Sequence, residues 1–161
     1  MKISQKVLLL LAVVFACHAV NAKPEKVLLN VKCTAVTDGD TIKVLSGKTE
    51  IKIRLFGIDA PEKKQAFGAQ SKKFMSQMVF GKKVNLRITG KDRYGRSIAW
   101  VFVNGRNVNA ESIRAGYAWW YQQYSKKYAQ LGEYEAQARA AKRGLWTDPH
   151  AVAPWEWRKQ H

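Results

Sequence analysis

Hydrophobic and polar residues alternate along several short stretches of the chain between positions 27 and 103. A period of two places every second side chain on the same face, which is typical of a β-strand with one buried face. Turn-forming dipeptides end two of these stretches, Ser46-Gly47 and Asn104-Gly105. The pattern predicts five strands, at residues 27–36, 41–45, 51–55, 84–88 and 98–103.

A helical period replaces the alternation in three other stretches. The predicted helices cover residues 67–78, 109–116 and 125–143. Gly81 and Gly144 end the first and the third, because glycine is the usual residue just beyond a helix. Asn107 or Asn109 is the candidate N-cap of the second helix.

The order of these elements predicts the fold class. Five short strands with a helix between the third and the fourth have the layout of a small Greek-key barrel that binds oligonucleotides or oligosaccharides (the OB-fold). We therefore predict an α+β fold that is mainly a β-barrel, with five strands in OB-fold-type order and three α-helices. The predicted domain covers residues 23–146, and residues 147–161 are predicted to form an extended C-terminal tail.

The first 22 residues have the features of a secretory signal peptide. Two lysines precede an unbroken apolar run at residues 7–16, and Ala22 ends a short pattern of the kind that signal peptidase recognises. The run is too short to span a bilayer, although an uncleaved anchor and a lipoprotein linked through Cys17 are alternatives. We expect cleavage after Ala22 and export through the inner membrane, with the mature protein periplasmic or secreted.

The charge balance narrows the class of partner. The chain has 28 Lys and Arg residues against 12 Asp and Glu residues, which gives a formal net charge of +16, or +14 once the leader is removed. It also has six residues each of Trp, Tyr and Phe. A basic domain rich in aromatic side chains favours a polyanionic partner, with nucleic acid ahead of an anionic membrane surface.

The few cysteines and histidines exclude several kinds of chemistry. Cys33 is the one cysteine outside the leader, so an internal disulfide and a zinc framework are both excluded for the mature chain. We expect Cys33 to be a small buried strand residue rather than a nucleophile. His150 and His161 lie in the predicted tail, which excludes two-histidine ribonuclease chemistry and a Ser-His-Asp triad. Catalysis would therefore depend on carboxylates and arginines, with or without a metal ion.

Acidic residues are rare in this chain, yet several of them lie where turns are predicted. Asp38-Gly39-Asp40-Thr41 leads into the second strand, and Asp59-Ala60-Pro61-Glu62 follows the third. Strand pairing would bring these carboxylates to one end of the sheet, where their repulsion requires a cation. Arg54 and Arg96 are candidate cations. In the alternative interpretation, the first motif is only a turn and the second only the start of a helix.

These residues closely resemble the staphylococcal-nuclease-like thermonucleases, over a span from about Ala35 to Trp157. The motifs that carry the resemblance are Val36-Thr37-Asp38-Gly39-Asp40-Thr41, Arg54-Leu55-Phe56-Gly57-Ile58-Asp59-Ala60-Pro61-Glu62, Asp92-Arg93-Tyr94-Gly95-Arg96, Gly144-Leu145-Trp146 and Pro154-Trp155-Glu156-Trp157. The resemblance implies an OB-type barrel with three helices. It also implies calcium-dependent hydrolysis of phosphodiester bonds in DNA and RNA.

The resemblance further implies which residues hold the metal and activate water. Asp40 and Asp59 resemble the calcium ligands, with the backbone carbonyl of Ala60 completing the set that the protein supplies. Glu62 resembles the carboxylate that orients or deprotonates the attacking water. A carboxylate in this role replaces the histidine that the core lacks.

The resemblance assigns Arg54 and Arg96 to the pair that grips the phosphate. Forked guanidinium groups suit this role because negative charge builds on the phosphoryl oxygens during in-line attack. Gln122 stands where the family has a base-stacking tyrosine. Nucleic-acid contacts are expected from Arg93, Tyr94 and Tyr124. The residues that either add stacking or pack around the short helix are Trp119, Trp120 and Tyr121.

We expect a monomer that takes DNA and RNA as substrates, has no obligate protein partner and does not associate with membranes after signal cleavage. Two other classes of function stay open. A non-catalytic, exported nucleic-acid-binding barrel would explain the charge and the aromatic residues, but not the combination of acidic residues and arginines. A cationic membrane-active protein would need a basic amphipathic helix, and Glu133 and Glu135 in the third predicted helix weaken that interpretation.

Overall fold

The computed structural model describes residues 26–161, so the predicted signal peptide lies outside the described residues. The strands in this range are β1 (Lys26–Val36), β2 (Thr41–Ser46), β3 (Thr49–Leu55), β4 (Ile58–Asp59), β5 (Lys83–Lys91), β6 (Ser97–Val103), β7 (Arg106–Asn107) and β8 (Trp119–Trp120). The helices are α1 (Gly68–Val79), α2 (Val108–Arg114), α3 (Gln122–Ser125), α4 (Gln130–Ala140) and α5 (Pro154–Gln160), with a 3₁₀ helix at Gly144–Thr147. No helix within residues 26–161 is long and apolar enough to cross a membrane.

Five of the strands close into a barrel. β1, β2 and β3 form an antiparallel meander, β1 also pairs with β5, and β5 pairs with β6. A parallel pairing of β3 with β6, in which Arg54 lies opposite Ile98, closes the barrel. This mixed five-stranded barrel with its accompanying helices confirms the predicted fold class, and all five predicted strands are present.

Alternate residues of the strands fill the barrel. Ile42 and Val44 of β2, together with Ile53 and Leu55 of β3, are at most 1% exposed, whereas the residues between them are more exposed. α1 packs against the same core through Met75. The period of two in the sequence therefore reports which side chains enter the core.

Cys33 in β1 is a free thiol that is buried in the core, as predicted. Burial raises the pKa of this thiol to about 11, because the thiolate would lose its hydration there. The group stays protonated at neutral pH, so it packs as a small hydrophobic residue.

The helices differ from the prediction in number. The first two predicted helices correspond to α1 and α2, and the side chain of Asn107 caps α2 by accepting from the Ala110 N–H at 3.1 Å. The predicted third helix, at residues 125–143, corresponds to the shorter α4, whereas α3 is a separate helical turn that ends at Ser125, where the predicted helix begins. Ser125 and Leu131 are both buried, yet residues six apart point to different sides of a continuous α-helix, so the chain turns between them.

The prediction of an extended C-terminal tail is wrong, because residues 154–160 form α5. Pro154 occupies the first turn of this helix, where its fixed φ and missing N–H fit the helix start. Sequence reasoning missed this helix because it has only seven residues and, unlike the equally short α2, no capping asparagine precedes it.

Candidate active site

The two acidic motifs meet at one end of the barrel. The register of β2 and β3 places Thr41 opposite Arg54, which brings the preceding Asp40 to the end of β3. Asp40 Oδ2 accepts a hydrogen bond from the Ala60 N–H at 2.7 Å. Gly39 allows this close approach, because a Cβ at that position would lie 2.7 Å from the Ala60 Cβ. This hydrogen bond from the backbone of Ala60 therefore fixes the Asp40 side chain against the second motif.

Arg54 joins the two buried aspartates. Its Nε lies 3.2 Å from Asp40 Oδ1, and its Nη2 donates to Asp59 Oδ1 at 2.7 Å. Its Nη1 donates to the carbonyls of Leu55 at 2.8 Å and Ile58 at 2.7 Å. The Arg54 side chain is 15% exposed, so these contacts fix the guanidinium in position before any ligand binds.

Burial and mutual repulsion oppose ionisation of the acidic residues. Burial raises the pKa of Asp38 to about 6, and the charge of Asp40 is the next cause. Burial also raises the pKa of Asp59, and Asp40 adds to this effect, while Arg158 and Arg54 act in the opposite direction. The neighbouring cations Arg158 and Arg54 therefore favour the ionised form of Asp59.

Glu62 follows β4, and its carboxylate is joined to that of Asp59 by one arginine, Arg158, which donates to both. The Nη1 of Arg158 donates to Glu62 Oε1 at 2.7 Å, and its Nη2 donates to Asp59 Oδ2 at 2.8 Å. The backbone N–H of Glu62 donates to Gln65 Oε1 at 3.1 Å. The Glu62 side chain is 36% exposed against 2% for Asp59, so it is the carboxylate that solvent reaches most easily in this group.

The C-terminal segment that carries Arg158 is packed against the barrel domain. The ring of Trp155 stacks on Tyr121, with centroids 5.6 Å apart and an interplanar angle of 21°. Pro154 is buried, and the Nε2 of Gln65 donates to the Val152 carbonyl at 2.6 Å. These contacts tie α5 to the segment that follows Glu62.

Sequence reasoning missed Arg158. The one available signal is its position directly after the Pro154-Trp155-Glu156-Trp157 motif. No local pattern shows that an arginine at position 158 meets a carboxylate 99 positions earlier in the chain.

Arg96 lies at the edge of this cluster. Its Nε donates to Asp92 Oδ2 at 2.6 Å, and its Nη1 lies 3.5 Å from Thr41 Oγ1, next to Asp40. The Arg96 side chain is 24% exposed against 15% for Arg54. The structure thus brings Arg54, Asp40 and Asp59 into direct contact and places Arg96 beside them.

Two of the predicted nucleic-acid-binding residues are strongly exposed aromatic rings. Tyr94 is 68% exposed and Tyr124 is 67% exposed. Arg93 donates to the Tyr94 hydroxyl at 2.8 Å, and the Arg96 guanidinium lies 5.5 Å from the Tyr94 ring centroid. Tyr124 contacts Tyr121, with centroids 5.2 Å apart. Exposed rings beside arginines have the chemistry for stacking against nucleobases.

Trp119 and Trp120 contact other side chains of the protein and are not exposed for stacking as Tyr94 and Tyr124 are. Trp119 is 4% exposed and packs edge-on against Trp146, with centroids 4.9 Å apart. The indole N–H of Trp120 donates to Ser125 Oγ at 2.8 Å. These contacts favour the packing interpretation for both residues.

The donor set is suitable for a hard divalent cation. Asp40 and Asp59 offer buried carboxylate oxygens, and the charge of Asp40 raises the pKa of Asp59, an effect that a bound cation would offset. Within residues 26–161 no group of three or more His, Cys, Asp and Glu side chains forms a metal centre. The observed contact of Ala60 with Asp40 is through its N–H.

Comparisons with known proteins show what this chain is similar to. A family model described as staphylococcal nuclease homologue matches residues 52–148. A protein of Haemophilus influenzae named as an uncharacterized endonuclease is 47% identical over 128 residues, which cover 78% of this chain and 70% of that protein. The micrococcal nuclease of Shigella flexneri is 40% identical over 134 residues, 77% of each chain. Protein ParB of Escherichia coli is 40% identical over 149 residues, 86% of this chain and 84% of its own.

Proposed function

The chain is a nuclease of the staphylococcal nuclease family, and we propose that it is an exported, calcium-dependent endonuclease that hydrolyses phosphodiester bonds in both DNA and RNA. One observation carries the proposal. A single guanidinium, that of Arg54, is fixed between two buried aspartates, and an accessible carboxylate, that of Glu62, lies beside them. Metal-assisted phosphodiester hydrolysis by water uses these parts: a cation site, a donor for the phosphate and a base for water.

The two arginines have different parts in the proposed mechanism. Arg54 directs most of its N–H groups at the protein, so it orders the aspartates and offers little more than one N–H to a phosphate. Arg96 is more exposed and has Asp92 as its close ionic partner, so its Nη groups are the ones that grip the phosphoryl oxygens. Both act on charge that develops during in-line attack.

Glu62 accepts the proton of the attacking water in this mechanism. Its side chain is accessible to solvent, while its ion pair with Arg158 holds it beside Asp59. Bound calcium, held by Asp40, Asp59 and the Ala60 carbonyl, would supply a fixed dipositive charge next to the phosphate.

Water as the nucleophile explains why both DNA and RNA are proposed as substrates. Attack by water does not use the ribose 2′-hydroxyl, so the same groups cleave either backbone. Neither His150 nor His161 has a contact with the acidic cluster in the described part of the chain, and two-histidine chemistry on the 2′-hydroxyl is not part of the proposal. The exposed rings of Tyr94 and Tyr124 and the side chain of Arg93 would contact the flanking nucleotides.

A panel of matched oligonucleotides tests the reaction. Single- and double-stranded DNA, RNA and 2′-O-methyl RNA are incubated with calcium, with magnesium and with a chelator. We expect cleavage of all four with calcium and none with the chelator. Full activity after chelation contradicts the metal requirement. Cleavage of RNA alone contradicts water as the nucleophile, and binding without any cleavage favours a non-catalytic module.

Export and a monomeric state are part of the same proposal. The basic start, the ten-residue apolar run and the cleavage pattern ending at Ala22 support removal of residues 1–22. Mass spectrometry of protein recovered from the periplasm and the medium should give a chain that begins at Lys23. An intact Met1 or a lipidated Cys17 as the main species contradicts it, and light scattering of the purified protein tests the monomer.

A further inference from the structure

Arg158 connects two side chains to which the proposed function gives different tasks. Its Nη2 donates to Asp59 Oδ2 at 2.8 Å, and its Nη1 donates to Glu62 Oε1 at 2.7 Å and lies 3.4 Å from Asp59 Oδ1. Asp59 is a proposed metal ligand and Glu62 the proposed base. Arg158 is the one side chain in the described residues with a hydrogen bond to the Glu62 carboxylate.

The arginine approaches the site on a well-anchored helix. The stacking of Trp155 on Tyr121 and the burial of Pro154 hold α5 in place. The neighbouring Lys159 pairs with Glu156 of the same helix at 2.8 Å and does not take part in the cluster. One cation of α5 is therefore directed at the acidic cluster, while the next one along the chain pairs within the helix.

We propose that Arg158 is a positioning residue of the nuclease site, whose guanidinium holds the Glu62 carboxylate at a fixed place beside Asp59; the proposal rests on the function proposed above. A guanidinium is a rigid planar fork, so bonds from its two Nη atoms set the distance and the orientation between the two carboxylates. Glu62 is 36% exposed and would otherwise move among several rotamers. Arg158 thus holds the base within reach of the water that attacks the phosphate.

The charge of Arg158 has a second, separable consequence. Its positive charge lies in contact with Asp59, so it repels a divalent cation bound to the same carboxylate. Removing that charge should therefore tighten calcium binding. Losing the fork should slow the reaction, since Glu62 is then less well placed. A purely structural role of α5 predicts no such opposite pair of effects.

Three variants separate geometry from charge. Arg158→Gln removes both the charge and the fork, and Arg158→Lys keeps the charge but loses the fork. Lys159→Gln is the control, because it removes the same charge from the same helix away from the cluster. Calorimetry measures calcium affinity without substrate, and initial rates with saturating calcium give kcat and KM on one oligonucleotide. Thermal unfolding checks that each variant is folded.

We expect Arg158→Gln to lower kcat by about 10- to 100-fold, the range for losing a residue that orients a metal-site side chain. Its KM should stay within about threefold, and its calcium affinity should rise severalfold because the repulsion is gone. Arg158→Lys should lower kcat by about 10-fold, with calcium affinity within about twofold of the wild type. Lys159→Gln should match the wild type in all three quantities.

Several results would overturn the proposal. An unchanged kcat in Arg158→Gln shows that Arg158 does not position Glu62, and a higher kcat shows that it obstructs the site. If Arg158→Gln binds calcium more weakly and also cleaves more slowly than Arg158→Lys, the Arg158 side chain only supports the fold. If the wild-type protein cuts nothing, the proposed function itself fails. That result is distinct from failure of the inference alone, in which the wild type cuts and Arg158→Gln cuts equally fast.

Discussion

Glu62 is constrained less than the aspartates beside it, and its environment distinguishes an enzyme from a binding module. Its carboxylate meets one guanidinium and solvent, whereas those of Asp40 and Asp59 are buried among several donors. A carboxylate that only stabilises the turn would tolerate an amide in its place, since an amide has nearly the same size. A carboxylate that takes a proton would not.

We therefore predict that Glu62→Gln keeps the fold and the affinity for nucleic acid but lowers turnover by roughly 10² to 10⁴, the usual contribution of a general base. Single-turnover cleavage and affinity are measured on the same oligonucleotide with saturating calcium. Glu133→Gln is the matched control, because it makes the same chemical change at an exposed position of α4. Equal rates for Glu62→Gln and the wild type contradict the assignment of Glu62 as the base.

The two site arginines should respond differently to substitution by lysine. Arg54→Lys and Arg96→Lys should each lower turnover by about 10² or more. Arg96→Lys loses the forked donor to the phosphate, and Arg54→Lys loses the guanidinium that orders Asp40 and Asp59. Arg54→Lys should also lower the free energy of unfolding by about 1–3 kcal/mol, since it leaves the Leu55 and Ile58 carbonyls without their donor. Chemical denaturation gives the stability difference. A near-normal rate in either folded variant shows that the arginine is misassigned.

Single residues also show how far sequence reasoning could reach. The turn motifs named Asp40 and Asp59 as candidates, because acidic residues beside turns are rare in a chain of such positive charge. The pairing of Thr41 with Arg54 then brought them together, as strand register requires. Arg158 could not be predicted in this way, because its contact with Asp59 depends on how α5 packs and not on any local pattern.

At the scale of elements, the packing of α4 against β8 makes a helix glycine necessary. Gly132 lies in the first turn of α4, and a Cβ there would be 2.5 Å from the Trp120 ring. That ring cannot easily move, because the indole N–H of Trp120 donates to Ser125 Oγ and the backbone N–H of Trp120 donates to the Glu135 carboxylate. Helix propensity alone would favour alanine at this position.

We predict that Gly132→Ala lowers the free energy of unfolding by about 1–3 kcal/mol, the typical cost of overpacking, although alanine is the better helix former. Gly90→Ala in β5 is the control, because a Cβ there meets nothing within 4 Å. Its effect should stay within about 0.5 kcal/mol. Denaturant unfolding of both variants decides this, and a more stable Gly132→Ala would mean that Trp120 moves aside at little cost.

Predictability at this scale follows the strength of the periodic signal. The barrel strands were predicted because alternation over five or more residues reports burial on one face. The two-residue strands β4, β7 and β8 have too few positions to show any period. The break between α3 and α4 depends on tertiary burial of Ser125 and Leu131, which the sequence pattern alone does not express.

At the scale of the whole molecule, the described residues contain one free thiol, that of Cys33, and no disulfide, so their stability depends on the core. Cys33 is completely buried, and its pKa is raised to about 11. The folded protein should therefore not react with a thiol reagent at pH 8, whereas the protein in denaturant should react with one equivalent per mature chain. Rapid labelling of the folded protein would show that β1 opens readily.

The raised pKa of Cys33 also predicts that the free energy of unfolding depends on pH. Because the pKa of Cys33 is higher in the folded state, its contribution to stability is full below the unfolded value and is lost as pH rises through about 11. Between pH 9 and 11 the wild type should lose about 1–2 kcal/mol more than Cys33→Ala does. Equal losses in the two proteins would show that the thiol is as easily ionised in the folded state as in the unfolded chain.

The net charge of the molecule makes binding of any polyanion dependent on salt, so salt dependence alone does not locate the nucleic-acid interface. Substituting two arginines in turn distinguishes binding at a local interface from attraction by the overall charge. Arg93 is exposed beside Tyr94, whereas Arg139 pairs with Glu135 and lies 3.6 Å from the centre of the Trp146 ring. Substitution of either by glutamine changes the net charge equally.

We predict that Arg93→Gln makes the negative slope of log affinity against log salt shallower by about 0.7 on single-stranded DNA, the value for one lost phosphate contact. Arg139→Gln should leave the slope unchanged, because Arg139 is engaged within the protein. Affinities are measured between 50 and 200 mM salt in the Glu62→Gln background, where slow cleavage keeps the oligonucleotide intact. Equal effects of the two substitutions would mean that overall charge, and not the turn that carries Arg93 and Tyr94, sets the salt dependence.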